Sequence, residues 1–248
     1  LSHKKFRDEL GAFVAEGPKV VSELLSQGIF SCKIICANAE WLRQATDLTN
    51  IAAADIYEIE EDELKKISLL KTPNSVVTVF QKKEIINLPA LDNKITLLLD
   101  DISDPGNLGT IIRIADWFAI ENIICSENCV DCYNPKVVQS TMGSLGRVNI
   151  FYQELSSFIS ANKEINIYAA SLSGKPLSAF ENLLEGFILI GNESKGVDEK
   201  LLAMSADQIT IPKYGEAESL NAAVATGIIL SHVRSALSPE GGTKVSSL

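Results

Sequence analysis

Two short apolar runs each end in a glycine-bearing polar loop, a pattern suited to binding a polar ligand. The run 187–191 predicts a fully buried strand and continues into the loop 191–196, Gly-Asn-Glu-Ser-Lys-Gly. The run 208–212 predicts a second buried strand, and the loop after it holds Gly215 and two acidic residues. Side by side in a parallel sheet, the two strands would place these loops at one carboxyl edge, where open α/β folds bind ligands.

A helix of small, mostly apolar residues follows the second loop, and Ser219 stands where that helix is expected to begin. Its hydroxyl could accept hydrogen bonds from the free N–H groups of the first turn, so we predict Ser219 as the N-cap. A third segment, 96–119, predicts a buried strand, a Pro-Gly turn and another helix. We predict Asn107 as the N-cap of that helix, which places Arg113 about two turns into it.

In this order, the three segments resemble the motifs of the SpoU family of RNA ribose 2′-O-methyltransferases, within the SPOUT superfamily. The resemblance extends from residue 96 to residue 221, and the segment 140–148 between the first two motifs also fits the family. Each motif alone is a weak signal, but three in the right order and spacing are specific. The matching residues are Asn107, Gly109 and Arg113, then Gly191, Glu193 and Gly196, then Ile211, Pro212, Gly215, Ser219, Leu220 and Asn221.

The resemblance implies S-adenosylmethionine as the cofactor. A pocket of strand-end loops can read an adenine edge with backbone N–H and C=O groups, while apolar side chains hold the ring. Gly191, Ile211 and Leu220 match the family's cofactor contacts. Without the resemblance, Gly191 would be interpreted as a turn glycine and the other two as core residues. We expect Gly191→Val to abolish cofactor binding in a protein that stays folded.

Arg113 matches the arginine to which the family assigns a catalytic role, sometimes as the base. A guanidinium stays charged in proteins, so we predict an electrostatic role instead. Arg113 would hold the adjacent phosphate and stabilise charge that develops on the ribose oxygen. The alternative is an ordinary surface ion pair with Asp116. The rest of the predicted catalytic set is Asn107, Glu193, Ser219 and Asn221.

Each of these polar residues also has a structural interpretation. Asn107 and Ser219 could be helix caps and nothing more, and Glu193 could be a solvated loop charge. Asn221 and Glu193 lie in the motif cores that the family associates with its active site. This position favours direct substrate contact for these two residues.

The cysteine spacing offers a competing chemistry. Cys125, Cys129 and Cys132 have the C-x3-C-x2-C spacing of radical S-adenosylmethionine enzymes, in which three thiolates can ligate a [4Fe–4S] cluster. The other motifs favour the SpoU interpretation, so we predict structural cysteines and no metal site. The total of five cysteines shows no paired framework, which favours a reducing, cytoplasmic environment.

The net charge of −10 argues against nucleic acid binding at first sight, because RNA binding draws on clustered Lys and Arg. The charge is uneven: residues 1–85 carry 11 basic and 13 acidic side chains, and residues 86–248 carry 11 and 19. We therefore predict that RNA affinity resides in the amino-terminal part. The basic residues spread over its first elements are Lys4, Lys5, Arg7, Lys19 and Lys33.

The alternation of predicted elements indicates two α/β domains. Residues 1–85 form the first domain, 86–94 a linker and 95–248 the second domain. The buried strands of the second domain predict a parallel sheet covered on both faces, and a frayed tail is predicted at 238–248. The resemblance implies a ribosomal-protein-like, RNA-binding substrate domain first and a deep trefoil knot in the second. We expect a chain that begins near residue 95 to keep cofactor binding and to lose most RNA binding. Within the first domain, strands are predicted at 13–17, 33–37 and 76–81, and helices at 18–28 and 60–70.

These features predict a cytoplasmic enzyme that transfers a methyl group from S-adenosylmethionine to a ribose 2′-hydroxyl of structured rRNA or tRNA. The resemblance implies a homodimer packed through its carboxy-terminal domains, and the helix after Ser219 is the candidate interface. A non-catalytic RNA-binding scaffold is the alternative, which loss of Asn107, Arg113 or Asn221 would have favoured. Because no run of 18 apolar residues occurs and the first residues are charged, we expect neither a transmembrane helix nor a signal peptide.

Overall fold

Two sheets, one in each half of the sequence, organise the chain in the computed structural model of the protein. The structure describes residues 1–45, 54–83, 88–180 and 183–235. Within these ranges the first sheet has four strands and the second has six. No helix in the same ranges is long and apolar enough to cross a membrane.

The amino-terminal half alternates helices and strands, as its sequence predicts. Its elements are α1 (Lys4–Glu9), β1 (Ala12–Glu16), α2 (Pro18–Gln27), β2 (Cys32–Ala37), α3 (Ala39–Gln44), β3 (Asp55–Glu58), α4 (Glu61–Ile67) and β4 (Val76–Gln81). The strand order is β1-β4-β2-β3, with β4 antiparallel to β1 and β2, and β3 parallel to β2. The three predicted strands and two predicted helices are confirmed, while α1, α3 and β3 have no counterpart among the elements predicted above.

Local sequence explains where two of these helices begin and end. Pro18 occupies the first position of α2, where its missing N–H group costs no helical hydrogen bond. The predicted helix 60–70 stops earlier, because Ser68 takes up extended backbone and its hydroxyl donates to Glu16 Oε2 at 2.6 Å. That bond turns the chain back towards β1.

The carboxy-terminal half is a parallel sheet with helices on both faces. Its elements are β5 (Ile95–Leu99), α5 (Pro105–Trp117), β6 (Asn122–Cys125), α6 (Pro135–Thr141), β7 (Asn149–Tyr152), α7 (Leu155–Ala161), β8 (Ile167–Pro176), β9 (Gly186–Ile190), α8 (Glu199–Ala203), β10 (Asp207–Thr210) and α9 (Ala222–Ser235). The strand order is β10-β8-β9-β5-β6-β7, and every neighbouring pair is parallel. The predicted parallel sheet is confirmed.

Alternate residues of β5 enter two different cores, so this sheet is covered on both faces. Leu97 and Leu99 pack with side chains of α5, α6 and α9, whereas Leu98 packs with side chains of α7 and α8. All five residues of β5 are buried, as a continuous apolar run in a parallel sheet predicts.

The expected adjacency of the two loop-bearing strands is wrong, because β8 lies between β9 and β10. The pairing of β10 with β8 jumps from Ala169, opposite Gln208, to Lys175, opposite Ile209. The intervening part of β8 includes Leu172, which is 78% exposed. This irregular stretch adds a further wall to the carboxyl edge of the sheet.

The two halves of the chain share one hydrophobic core. The Tyr133 ring, between β6 and α6, lies 4.9 Å from the Phe13 ring and 6.4 Å from the Phe30 ring, centroid to centroid. Arg7 Nη2 contacts Asp131 Oδ2 at 2.7 Å, and these side chains are only 2% and 11% exposed. The prediction that Arg7 contributes to an RNA-binding surface is therefore wrong, because its guanidinium is buried between the halves.

The shared core also changes what a shortened chain should do. A chain beginning near residue 95 would lose the aromatic neighbours of Tyr133 and leave Asp131 without its cation, so we no longer expect it to stay folded. Residues 88–94 connect the sheets without helix or strand, and β5 begins at the predicted residue 95. Residues 86–87 of the predicted linker and the predicted tail 238–248 lie outside the described residues. The trefoil knot stays a prediction.

Candidate active site

The loops after β9 and β10, together with the irregular stretch of β8, enclose a cleft at the carboxyl edge of the second sheet. The cleft has a volume of about 860 Å³, which suits a ligand of cofactor size, since such sites span roughly 300–1,000 Å³. The predicted cofactor contacts Gly191, Ile211 and Leu220 all line it, together with Glu193 and Ser219. The structure therefore brings five predicted site residues to one cleft.

Gly191 is required by the backbone of its own loop. A Cβ atom here would lie 2.3 Å from the carbonyl carbon of Gly196 and 2.3 Å from the nitrogen of Val197. Asn192 and Gly196 exchange backbone hydrogen bonds of 3.1 and 2.9 Å, which hold the loop ends this close. Gly191→Val would therefore reshape the loop itself, so the expected loss of cofactor binding in a folded protein would test the loop and not one cofactor contact alone.

Asn192 is absent from the predicted site, yet it organises this loop. Its Oδ1 accepts from the backbone N–H groups of Ser194 at 2.9 Å and Lys195 at 3.2 Å, and its Nδ2 donates to the Asp101 carbonyl at 2.8 Å. Lys195 Nζ also contacts Asp101 Oδ2 at 2.9 Å. These bonds tie the loop after β9 to the loop after β5. A sequence signal for this role exists, because an Asn side chain often binds the backbone N–H groups two and three residues after it, as in an Asx-turn.

Three predicted catalytic residues from three separate segments form one hydrogen-bonded chain, Glu193–Asn107–Asn221, which we name the polar bridge. Asn107 Nδ2 donates to Glu193 Oε1, and Asn221 Nδ2 donates to Asn107 Oδ1 at 2.8 Å. Glu193 lines the cleft, whereas Asn107 and Asn221 line a neighbouring groove of about 420 Å³ between α5 and α9. The polar bridge is the shared wall of cleft and groove, so a ligand group on either side could replace one of its bonds.

The caps of the two site helices differ from the predicted ones. Asp104 caps α5, since its Oδ1 accepts from the Asn107 backbone N–H at 2.9 Å, and the expected Pro-Gly turn is the first turn of that helix. Asn221 caps α9, since its Oδ1 accepts from two N–H groups of the first turn at 3.0 and 3.2 Å. Ser219 is exposed and makes no hydrogen bond to another described residue. The side chains of Asn107 and Ser219 therefore do not cap these helices, and the predictions of both as N-caps are wrong.

Arg113 is exposed on α5 and forms no ion pair within the described ranges. The alternative partner, Asp116, instead contacts Arg147 Nη2 at 2.8 Å, so the interpretation of Arg113 as its ion-pair partner is wrong. Arg113 does not line the cleft. It lies two helical turns after Gly106, which lines the groove, and so on the same side of α5. Its charge is available to a ligand that approaches from the groove.

The first motif glycine, Gly109, serves the packing of the site helices. A Cβ atom there would lie 2.4 Å from Ser140 Cβ and 2.7 Å from the Val137 carbonyl oxygen, both on α6. The absence of a side chain lets α5 approach α6 closely, which fixes the helix that carries Asn107 and Arg113.

Carboxylates dominate the charge at this edge of the sheet. Burial raises the pKa of Asp100, while the hydrogen bond that it accepts from the Asp198 N–H, at 2.9 Å, acts in the opposite direction. The hydrogen bond to Asp101 raises the pKa of Lys195. With Glu193 in the cleft wall, the edge suits a ligand that carries a positive charge.

The three clustered cysteines belong to the core beneath the loop after β5. Cys129 Sγ accepts from the Ile102 N–H at 3.3 Å and donates to the Leu99 carbonyl at 3.3 Å. Cys125 and Cys132 are also buried, and burial raises the pKa of Cys132 to about 12, which disfavours the thiolate that a metal needs. Among the residues that the structure describes, no three His, Cys, Asp or Glu side chains could hold a metal ion together. The geometry thus favours the structural interpretation over an iron–sulfur site.

Sequence comparison relates both halves of the chain to known families. Residues 94–231 match the SpoU rRNA Methylase family, and residues 1–78 match the MRM3-like substrate binding domain. The chain is similar to the 23S rRNA (guanosine(2553)-2′-O)-methyltransferase RlmP of Bacillus subtilis (strain 168). The two are 32% identical over 238 residues, which cover 94% of this chain and 93% of that protein.

Solved structures give the same relationship. The AdoMet-bound rRNA methyltransferase of Sinorhizobium meliloti is 30% identical with a TM-score of 0.83, over 96% of this chain and 92% of that one. A structure from Porphyromonas gingivalis, assigned to the TrmH family of RNA methyltransferases, is 33% identical with a TM-score of 0.82, over 94% and 93%. Both similarities extend over the two halves of the chain.

Proposed function

Because the chain belongs to the SpoU rRNA methylase family, we propose that it transfers a methyl group from S-adenosylmethionine to a ribose 2′-hydroxyl of RNA. The observation that carries the proposal is the polar bridge, in which three motif residues meet between the cleft and the groove. A structural role alone does not require a carboxylate and two amides from separate segments to meet beside a cleft.

The cleft has the features that S-adenosylmethionine requires. This cofactor supplies a methyl group on a positively charged sulfur. Ile211 and Leu220 would provide apolar contacts, and backbone groups around Gly191 would read the adenine edge. Glu193 would place a carboxylate near the positive charge. The volume of the cleft, its mixed walls and its acidic edge support this assignment.

Arg113 and the polar bridge would act on the RNA substrate. Because a guanidinium is a fixed positive charge in proteins, Arg113 can bind the phosphate beside the target ribose and stabilise the 2′-oxygen as negative charge develops. The amides of Asn107 and Asn221 can orient the ribose by exchanging bonds of the bridge for bonds to hydroxyl groups. Ser219 offers a further hydroxyl in the cleft wall.

Large-subunit ribosomal RNA is the first substrate to test, and transfer RNA is the comparison. The reason is RlmP, which is named for a guanosine in 23S rRNA and is similar over nearly the whole chain. The amino-terminal domain, residues 1–85, would contribute RNA affinity, in keeping with its match to a substrate binding domain. Lys19 and Lys33 are exposed and have no ion-pair partner in the described ranges, so they remain candidate phosphate contacts after Arg7 is removed from that set.

A homodimer would form through α5 and α9, which pack against each other and expose apolar side chains. Trp117, Val224 and Ile228 are 70%, 49% and 39% exposed, and clustered exposed apolar side chains mark interaction surfaces. Light scattering should give a dimer mass for the wild type and a lower mass for Ile228→Glu. Leu69→Glu, which changes a 46% exposed leucine in the other half, is the control.

A cytoplasmic location stays a prediction.

The test of the proposed function is methyl transfer. The protein is incubated with methyl-labelled S-adenosylmethionine and separated rRNA and tRNA, and the labelled nucleotide is mapped. We expect label on one ribose 2′-oxygen of ribosomal RNA. Cofactor binding without transfer to any RNA would favour the non-catalytic scaffold. Stoichiometric iron and sulfide in the purified protein would favour the radical enzyme.

A further inference from the structure

Two lysines at the carboxyl edge of the second sheet are paired with carboxylates. Lys195 contacts Asp101 at 2.9 Å, and Lys136 contacts Asp104 at 3.6 Å. Lys213, in the loop after β10, is exposed and forms no ion pair or hydrogen bond with another described residue. An acidic protein needs free cations where RNA meets it, because phosphate contacts supply much of the affinity. Lys213 meets that need at the cleft.

The next residue, Tyr214, is 97% exposed, the highest value among the large apolar and aromatic side chains of the described part of the chain. Its neighbour Gly215 is equally open, since a Cβ atom built there would meet nothing within 4 Å. The loop thus stands clear of the body of the protein and presents the ring to solvent. A ring exposed in this way packs against no part of the fold, so its faces are available to another molecule.

Both residues lie in the lining of the cleft rather than on a remote surface. The irregular stretch of β8 contributes Leu172, which is 78% exposed, to the same lining. The rim of the cleft therefore combines an exposed aromatic ring, an exposed aliphatic side chain and an unpaired ammonium group. A ligand that fits this rim has a flat apolar face next to a negative charge.

We propose that Tyr214 and Lys213 form an RNA contact at the mouth of the cleft, in which the ring stacks on an unpaired base and the ammonium binds a neighbouring phosphate. The inference rests on the proposed function and extends it to the position of the substrate. Bases in single-stranded loops stack on aromatic side chains largely without regard to sequence. A protein surface would fill the apolar rim without requiring a free cation, so unpaired RNA is the partner that the combination favours.

The ring is tested by comparing Tyr214→Ala with Tyr214→Phe in the full chain, using large-subunit ribosomal RNA as the probe. Tyr214→Ala should raise the Kd for RNA by roughly 5- to 150-fold, the range expected from loss of one stacked base. Tyr214→Phe keeps the ring and should stay within about 2-fold of the wild type. The affinity for S-adenosylmethionine should be unchanged in both variants.

The cation is tested by the salt dependence of RNA binding. Lys213→Gln should lower the slope of log Kd against log salt concentration by about 0.7, the value for one phosphate contact on a single strand. Lys200→Gln is the matched control, because Lys200 is exposed on α8 and does not line the cleft. The control should leave the slope unchanged.

Three results would overturn the contact. These are wild-type RNA affinity in both Tyr214→Ala and Lys213→Gln, a loss of cofactor affinity in Tyr214→Ala, or a change of oligomeric mass in that variant. The second would assign the ring to the cofactor and the third to a second copy of the chain. RNA binding is measured separately from methyl transfer, so the contact is tested even if the wild type transfers no methyl and the proposed function fails.

Discussion

The interface between the two halves and the carboxyl edge of the second sheet use polar side chains in opposite ways. At the interface, Arg7 and Asp131 are buried against each other, and no capacity for a ligand remains. At the edge, the polar bridge joins Glu193, Asn107 and Asn221 beside a cleft and a groove. Each bond of the bridge can be exchanged for a bond to a ligand. Changes at the interface should therefore alter stability, and changes at the edge should alter activity.

The largest effect is expected at the interface, for Asp131→Ala. The substitution leaves the Arg7 guanidinium buried without its partner, so the free energy of unfolding should fall by about 3–5 kcal/mol. Urea denaturation measures the change. Asp62→Ala is the control, because Asp62 is exposed and pairs only with the exposed Lys65. Equal unfolding free energies of the Asp131→Ala and Asp62→Ala variants would show that the buried Arg7–Asp131 pair does not stabilise the interface.

At the edge, Arg113→Ala should lower single-turnover methyl transfer by about 10²–10³-fold, the usual cost of one preorganised donor to developing charge. Cofactor affinity and unfolding free energy should stay near the wild-type values, because Arg113 forms no ion pair in the described ranges. Arg113→Lys should recover only part of the rate, since an ammonium cannot reproduce the planar fork of a guanidinium. Full activity of the Ala variant would remove Arg113 from the catalytic set.

Asn221 contributes both to stability, as the cap of α9, and to the polar bridge. Two substitutions separate these contributions. Asn221→Ala removes the cap of α9 and should cost about 1 kcal/mol of stability. Asn221→Asp keeps an oxygen cap but loses the amide that donates to Asn107. It should keep near-normal stability and lower turnover by roughly 3- to 10-fold, the value of one hydrogen bond. Calorimetry and methyl transfer measure the two quantities. Equal turnover in Asn221→Asp and wild type would show that the bridge does not position substrate.

The smallest effect is expected at the exposed border of the interface. Arg147 contacts Glu23 at 2.6 Å, and these side chains are 38% and 44% exposed. Glu23→Gln keeps the shape of the side chain and should change the unfolding free energy by less than about 1 kcal/mol. If Glu23→Gln lowered the unfolding free energy as much as Asp131→Ala, solvent exposure would not explain the difference between the Arg147–Glu23 and Arg7–Asp131 ion pairs.

The buried strands of the second sheet are predictable from sequence because runs such as 95–99 are continuously apolar. The position of β8 is not, because its outer half carries Ser, Gly, Lys and Pro, and its place between β9 and β10 depends on crossovers that no local pattern encodes. The Arg7–Asp131 pair joins residues 124 positions apart, and local sequence cannot reveal such a contact.

The composition of the cleft and of the polar bridge follows from motif spacing, but the helix caps do not. Asp104 and Asn107 are both good cap residues, as are Ser219 and Asn221, and propensity alone cannot choose between them. The structure assigns capping to Asp104 and Asn221. Asn192 is missed because its role depends on the Asp101 carbonyl, which belongs to a different loop.

The separation of Arg7 and Asp131 by 124 residues also bears on how the protein is made. At a translation rate of about 5–20 residues per second, Arg7 is synthesised roughly 6–25 s before its partner. During that interval the nascent amino-terminal sheet has an unpaired cation and lacks the Tyr133 ring that packs on Phe13. The domain that leaves the ribosome first therefore completes its folding only after the middle of the chain has followed it.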